Sequence, residues 1–133
     1  MQTFLPYADI YKSVSCLDYR RLGKQRVEAY QILRSLTDES YGWKNHPAVK
    51  MWDGYEQALI LYMNACISEW VNVRGYKNSM KCLNTVSNAE FPPWFGDEAI
   101  HASHRSNLLR KDSKWYGQFG WSEPNDINYV WPV

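Results

Sequence analysis

The chain has 133 residues, the length of one domain with a core of its own. Fifteen Lys and Arg nearly balance 14 Asp and Glu, charged residues make up 22% and hydrophobic residues 45%. These values exclude a strongly basic or acidic tail and an intrinsically disordered chain. No apolar stretch reaches the roughly 18 residues of a membrane span, and no signal peptide opens the chain. We therefore expect a cytoplasmic protein, a single domain over residues 1–133 and no membrane partner.

The near-neutral total conceals two basic segments. Residues 10–50 hold eight Lys or Arg against four acids, and residues 101–116 hold four against one. Residues 51–100 are acidic, with three bases and six acids. If the basic segments meet in space, they form a positive face that suits a phosphate-bearing partner. The alternative is two solvated helix faces.

The first predicted helix begins at Ser13 or Ser15, either of which can cap it, and ends near Leu36. Its apolar residues recur near helical spacing, at Leu17, Leu22, Val27, Tyr30, Leu33 and Leu36. Gly23 interrupts this pattern. It indicates either the close approach of a partner helix or ligand, or a kink.

Two more helices are predicted. The second covers residues 47–74, with Pro47 in its first turn and Gly75 at its end. The third covers residues 98–111 and is capped by Asp97.

Aromatic residues dominate the connecting segments. Residues 75–97 form a loop that ends in FPPWFGD, and the tail after the third helix is an extended arm expected to pack over the helices. The aromatic residues of that arm are Trp115, Tyr116, Phe119, Trp121, Tyr129 and Trp131. No strand is predicted. The fold class is mostly α, with about three main helices, long aromatic-rich loops and a C-terminal arm.

A basic cluster lies in the first predicted helix, formed by Arg20, Arg21, Lys24 and Arg26. Arg21, Lys24 and Glu28 share one helix face through steps of three and four residues. The bases are candidates for binding phosphates. Glu28 can assist a proton transfer or stabilise a cationic intermediate. The alternative is a plain structural pair between Glu28 and Lys24.

The motif HASHRSNLLRK makes the third helix unusually polar. Its candidates for binding phosphate are His101, Arg105, Asn107 and Lys111, and His104 is also a catalytic candidate. Such a helix offers little to a core, so we expect anion recognition or acid–base work by histidine.

Three further side chains are candidates for ligand contact. His46 precedes a helix N-terminus, where free N–H groups favour anions, or else it only caps the helix. Trp94 and Trp115 could stack on flat ligands. For Trp94, the alternative is a plug in its loop.

Metal and cofactor sites are not expected. The three histidines do not pair with cysteine at ligand spacing, and Cys16, Cys66 and Cys82 are expected to be buried thiols. The sequence has no GxGxxG, Walker-type, HExxH or GxSxG motif, so it predicts no cofactor.

Four stretches follow one another in the chain: LDYRRLGKQR, HPAVKMWDGYEQALILYMNACISEWVNVRGY, FPPWFGDEAIHASHRSNLLRK and WYGQF. Together they resemble the pyrimidine-dimer DNA glycosylase family of phages and bacteria, of the phage endonuclease V type. The resemblance covers nearly the whole chain. It is closest to a branch whose functional label derives from distant relatives.

The resemblance implies a mostly helical DNA-binding domain that flips a damaged base and has glycosylase and lyase activity. In this family the α-amino group of the processed N-terminus attacks a sugar carbon and forms a Schiff base, with a helical Glu beside it. As a class, α-amines titrate near pH 8 (roughly 7.7–8.0), so part of the population is a free nucleophile at neutral pH.

Two positions depart from the family pattern. Position 2 is Gln2 rather than a small residue, so we expect Met1 to be retained and to supply the amine. The family's Glu-Tyr-Arg-Glu reads DYRR at residues 18–21, which places Arg21 where the catalytic carboxylate stands. Glu28 is a candidate replacement.

Three functions stay open on this sequence. The first is a glycosylase and abasic-site lyase, acting on damaged or modified pyrimidines through Met1. The second is a non-catalytic protein on the same fold that binds DNA or a nucleotide, for example a phage protein that sequesters a signalling nucleotide. The third is a nucleotide hydrolase that depends on His101, His104 and Arg105.

Overall fold

The computed structural model of the chain describes residues 1–86 and 88–133. Six α-helices lie in this part of the chain, with no strand: α1 (Ile10–Ser15), α2 (Tyr19–Thr37), α3 (Pro47–Lys50), α4 (Glu56–Ser68), α5 (Glu98–Lys111) and α6 (Ser113–Tyr116). A π-helical turn, Glu69–Val73, extends α4, and a 3₁₀ turn, Gly117–Phe119, follows α6. The prediction of a mostly α fold is confirmed. None of the described helices is both long and apolar enough to cross a bilayer.

The first predicted helix is two helices, α1 and α2. Asp9 caps α1, since its carboxylate accepts a hydrogen bond from Lys12 N, so the predicted caps Ser13 and Ser15 are wrong. The break lies at Asp18, whose backbone N–H donates to the hydroxyl of Tyr116 at 3.0 Å. A partner 98 residues away along the chain thus sets the start of α2.

The second predicted helix is also interrupted. Gly54 takes a left-handed conformation (φ +86°), which separates α3 from α4 and favours glycine at this position. The far end agrees with the prediction, because the π-helical turn ends just before Gly75, another left-handed glycine (φ +73°).

α2 and α4 pack against each other around the hydrophobic core. Gly23 lies where Trp70 of the π-helical turn approaches α2, and a Cβ atom at Gly23 would lie 3.1 Å from the indole ring. Of the alternatives at Gly23, the structure shows a close approach, and the neighbour is the indole of Trp70 rather than a helix backbone or a ligand. Cys16 and Cys66 are buried as expected, whereas Cys82 is exposed, which corrects the third of these expectations.

α5 matches its predicted bounds, and Asp97 caps it by accepting from Ala99 N at 3.1 Å. Its predicted environment is wrong, because its polar residues are buried in the fold on both sides of the helix. The buried polar residues are His101, Ser103, His104, Arg105, Ser106 and Asn107. Polar side chains fill this part of the interior because each has backbone groups to bind.

On one side of α5 the partners are in the N-terminal segment, residues 2–6. Leu5 N donates to Nδ1 of His104 at 2.9 Å, and the carbonyl of Leu5 accepts from Nδ1 of His101 at 2.7 Å. Arg105 donates from Nη1 to the carbonyl of Pro6 at 2.7 Å. α5 therefore binds the backbone of this extended segment much as a neighbouring strand would.

The C-terminal arm supplies the other partners. The hydroxyls of Ser103 and Ser106 accept from Val130 N and Ile127 N at 3.2 and 2.9 Å. Asn107 donates to the carbonyl of Ile127 at 2.9 Å. The expected packing is confirmed for five of the six aromatic residues: Tyr116 is fully buried, while Phe119, Trp121, Tyr129 and Trp131 pack against the core half-buried. Trp115 is exposed, and the first part of the predicted extended arm is helical, as α6 and the 3₁₀ turn.

His104 makes folding sensitive to acid. Burial, reinforced by the nearby His101 and Arg105, lowers the pKa of His104 to about 3. An unfolded histidine titrates near 6.5, so the unfolded state binds this proton first. Stability from His104 is present above pH 6.5 and is lost as the pH falls towards 3, by about 1.4 kcal/mol per pH unit.

We expect His104→Asn to flatten this dependence, because an amide oxygen can still accept from Leu5 N but does not titrate. Urea unfolding at several pH values between 7 and 4.5 measures the free energy of unfolding of both proteins. The variant is expected to be less stable than the wild type at pH 7, and the difference between their free energies of unfolding is expected to decrease as the pH falls. Parallel stability curves would contradict the assignment.

Candidate active site

A pocket of about 460 Å³ lies where the chain's N-terminus, α2, the end of α5 and the C-terminal arm meet. Its walls are formed by Met1, Gln2, Phe4, Arg20, Arg21, Lys24, Gln25, Glu28, Lys111 and Tyr129. The volume falls within the range usual for small-ligand sites.

The N-terminal segment reaches the pocket through the interior. Thr3 is fully buried, and its hydroxyl accepts from the indole N–H of Trp52 at 3.0 Å. The carbonyl of Phe4 lies 2.8 Å from the hydroxyl of Tyr62. Since residues 2–6 are held in this way, Met1 is fixed half-buried at the pocket wall.

Gln25 connects this segment to Glu28. Its side chain is buried, and its Nε2 donates both to the carbonyl of Gln2 at 2.9 Å and to Oε2 of Glu28 at 2.8 Å. Its Oε1 accepts from Phe4 N at 2.8 Å. One amide therefore sets the position of the first residues relative to the only carboxylate among the lining residues.

The rest of the wall is basic. Arg20, Arg21 and Lys24 come from two successive turns of α2, and Lys111 comes from the last turn of α5. In the described part of the chain, Arg20, Lys24 and Lys111 form no ion pair, and all three are exposed. Four cationic groups around one Glu leave a local excess of positive charge, which favours an anionic ligand.

Arg21 is held by a buried network. Its Nη1 pairs with Asp18 at 3.2 Å, and the other oxygen of Asp18 accepts from Tyr116 at 2.5 Å. Burial, followed by the bond to Asp18, raises the pKa of Tyr116 well above its usual range, so the hydroxyl stays a donor. Arg21 is thereby directed along the wall as a fixed cation.

The pocket brings together six of the residues that the sequence singled out: Met1, Arg20, Arg21, Lys24, Glu28 and Lys111. The two basic segments of the sequence do meet, through α2 and the end of α5.

Other candidates lie elsewhere. Arg26 packs over the ring of Trp70, 4.4 Å from its centre. His101, His104, Arg105 and Asn107 bind backbone inside the fold, as described above. His46 caps α3 through Nδ1, which accepts from Ala48 N at 3.0 Å. Trp94 is buried, with its indole N–H donating to the carbonyl of Met51 at 2.7 Å.

Trp115 is 38% exposed, and its indole N–H donates to the carbonyl of Cys16 at 2.8 Å. It is not among the residues of the pocket wall. Within residues 1–86 and 88–133, no group of three or more His, Cys, Asp or Glu side chains is arranged to hold a metal ion.

Sequence reasoning missed four residues of the wall: Gln2, Phe4, Gln25 and Tyr129. Gln25 had a usable signal, since it lies three residues before Glu28 and one after Lys24 on a predicted helix. Tyr129 had none, because its place depends on how the arm folds back over α5.

Comparison with known families supports the resemblance noted in the sequence. A family model described as pyrimidine dimer DNA glycosylase matches residues 1–84, well over half of the chain. The match includes α1 to α4 and most of the pocket wall, whereas Lys111 and Tyr129 lie beyond it. Neither a curated protein nor a solved structure matches the chain significantly.

The basic wall generates a first test. We expect millimolar inorganic pyrophosphate to raise the melting temperature by about 4 °C when it is about tenfold above its Kd, because it binds only the folded protein. The double variant Arg20→Gln/Lys24→Gln is expected to lose this shift. Lys81→Gln, an exposed lysine outside the pocket, is the matched control. If pyrophosphate raises the melting temperature of the double variant as much as that of the wild type, at matched ionic strength, the anion binds outside this pocket.

Proposed function

The chain belongs to the pyrimidine dimer DNA glycosylase family, and from that premise we propose that it is a DNA glycosylase and abasic-site lyase whose nucleophile is the α-amine of Met1. The observation that carries the proposal is that Met1 and Glu28 line one pocket with four cationic side chains. Its substrate class is DNA with a damaged or modified pyrimidine nucleotide.

The first step uses the amine. The unprotonated nitrogen of Met1 attacks C1′ of the sugar, and the bond from C1′ to the base breaks, so that the base leaves with the electron pair and takes up the proton that the amine loses. The nitrogen lone pair then expels O4′, which is protonated to a hydroxyl. The product is a positively charged Schiff base between Met1 and C1′.

Glu28 serves the steps that follow. Its negative charge stabilises the cationic Schiff base, and its carboxylate accepts a proton from C2′. The electrons of that C–H bond then expel the 3′ phosphate by β-elimination. Water finally hydrolyses the Schiff base, which releases the sugar aldehyde and restores the amine.

Gln25 positions both groups for these steps. Because its Nε2 contacts the carbonyl of residue 2 and the carboxylate of Glu28, the approach of amine and carboxylate to one sugar is fixed before the substrate binds. The cationic wall is suited to the phosphates on either side of that sugar.

Arg21 distinguishes this chain from the family pattern that the sequence resembles. It occupies the position of the catalytic Glu and pairs with Asp18, so it acts here as a phosphate-binding cation. Glu28, two turns further along α2, supplies the carboxylate to the same pocket.

A non-catalytic nucleotide-binding role is the second candidate. The excess of cationic side chains in a pocket of about 460 Å³ favours it, since a compact phosphate ligand fits such a site. The hydrolase alternative has no such support, because its residues His101, His104 and Arg105 are buried and bind backbone.

Borohydride trapping on duplex DNA with an abasic site or a cyclobutane pyrimidine dimer tests the proposal. The wild type is expected to form a covalent adduct that peptide mapping places at Met1, and intact mass checks that Met1 is the first residue. Reductive methylation of the α-amine is expected to abolish formation of the adduct. Absence of any adduct, with pyrophosphate binding retained, would favour the nucleotide-binding role.

Glu28→Gln separates the two chemical steps. We expect strand cleavage by β-elimination to slow by about 100-fold or more, because the proton acceptor at C2′ is lost, while the adduct still forms. The matched control is Glu90→Gln, an exposed glutamate outside the pocket. Cleavage by Glu28→Gln at the wild-type rate would remove Glu28 from the mechanism.

A further inference from the structure

Trp43 stands out among the aromatic residues that the function does not use. It is 63% exposed and is the one non-glycine residue with positive φ (+72°) in residues 1–86 and 88–133. Bulky residues rarely adopt this conformation, and strained residues concentrate at functional sites. Trp43 thus places an exposed indole, which contributes little to the core, on a strained backbone.

The loop that carries Trp43 is held in place. Ser35 donates from its hydroxyl to the carbonyl of Gly42 at 2.9 Å. Lys44 donates from Nζ to the carbonyls of Ser35 and Asp38 at 2.8 and 2.9 Å. These bonds hold the loop on both sides of Trp43, so the backbone that carries the indole has a defined position.

From Trp43 a row of rings leads to the pocket. Its centroid lies 6.3 Å from that of His46, His46 lies 6.0 Å from Trp131, and Trp131 lies 5.5 Å from Tyr129. Tyr129 is part of the pocket wall. We call these four residues the aromatic track.

The N-terminus acts on one ring of the track, His46. The pKa of His46 is lowered by burial and, second, by the positive charge of the N-terminus. His46 is therefore a neutral flat ring at neutral pH, close to the proposed nucleophile.

We propose that the aromatic track binds unpaired nucleobases of the DNA strand whose sugar–phosphate occupies the pocket, with Trp43 as its outermost stacking surface. This inference rests on the proposed function and names how the strand continues beyond the reacting nucleotide. Aromatic rings beside a basic groove are the combination that binds single-stranded nucleic acid. Flipping a damaged nucleotide unpairs bases at that step and makes them available to stack.

Trp43 lies in a loop with no excess of positive charge. Asp38 pairs with Arg34 at 3.2 Å and Lys44 balances Glu39, whereas the exposed cations Arg20, Lys24 and Lys111 lie at the pocket end of the track. The backbone of the strand is thus expected to follow the pocket wall while its bases reach Trp43.

Fluorescence anisotropy with two oligonucleotides tests the inference. One is a single-stranded thymidine hexanucleotide, and the other is the same chain of phosphates with tetrahydrofuran in place of every nucleoside. Trp43→Ala is expected to weaken binding of the first about tenfold and to leave binding of the second unchanged, since only the first can stack. Trp43→Phe is expected to retain most of the affinity for the first.

Two variants complete the design. Tyr11→Ala removes an exposed aromatic residue outside the track and the pocket, and is expected to bind both oligonucleotides as the wild type does. Trp43→Gly relieves the strained backbone, so it is expected to melt no lower than Trp43→Ala while showing the same loss of binding.

Equal affinity of wild type and Trp43→Ala for the hexanucleotide would overturn the proposal that the aromatic track binds bases. An equal loss on both oligonucleotides would also overturn it, because the effect would then arise from phosphates. If the wild type binds neither oligonucleotide nor abasic duplex, the proposed function fails, and the track fails with it.

Discussion

The structure depends on the burial of an extended N-terminal segment in a protein with no sheet among its described residues. Residues 2–6 have no neighbouring strand to bond with, and backbone N–H and C=O groups cannot be left unpaired in an interior. Side chains take the place of that strand: Gln25 and Tyr62 on one side, and His101, His104 and Arg105 on the other. The position of the first residue, and with it the pocket, follows from this arrangement.

This constraint explains why α5 is polar and yet central. Its histidines and arginine bind the N-terminal segment on one side of the helix, while Ser103, Ser106 and Asn107 bind the arm on the opposite side, so one helix holds both ends of the chain. Each polar group has a partner at hydrogen-bonding distance, which offsets the cost of removing it from water. Among α5's described contacts, the Nε2 atom of His104 is an exception and has no hydrogen-bond partner.

In the proposed mechanism, Glu28 takes the role of the Glu whose position in the family pattern Arg21 occupies. A helix presents residues one and two turns apart on the same side, so a carboxylate at Glu28 faces the pocket that Arg20 and Lys24 also line. Asp18 and Tyr116 hold the arginine in place, and Gln25 holds the glutamate.

The sequence by itself determined the features that depend on near neighbours: the mostly α class, α5 with its cap at Asp97, the end of the second helical region at Gly75, and the basic face of α2 with Glu28. Those signals act within one or two helical turns. Tertiary structure alone decided the break at Asp18, the burial of His101 and His104, and the arrival of Lys111 and Tyr129 at the pocket. These features rest on contacts between residues up to 99 positions apart, and local patterns carry no record of such partners.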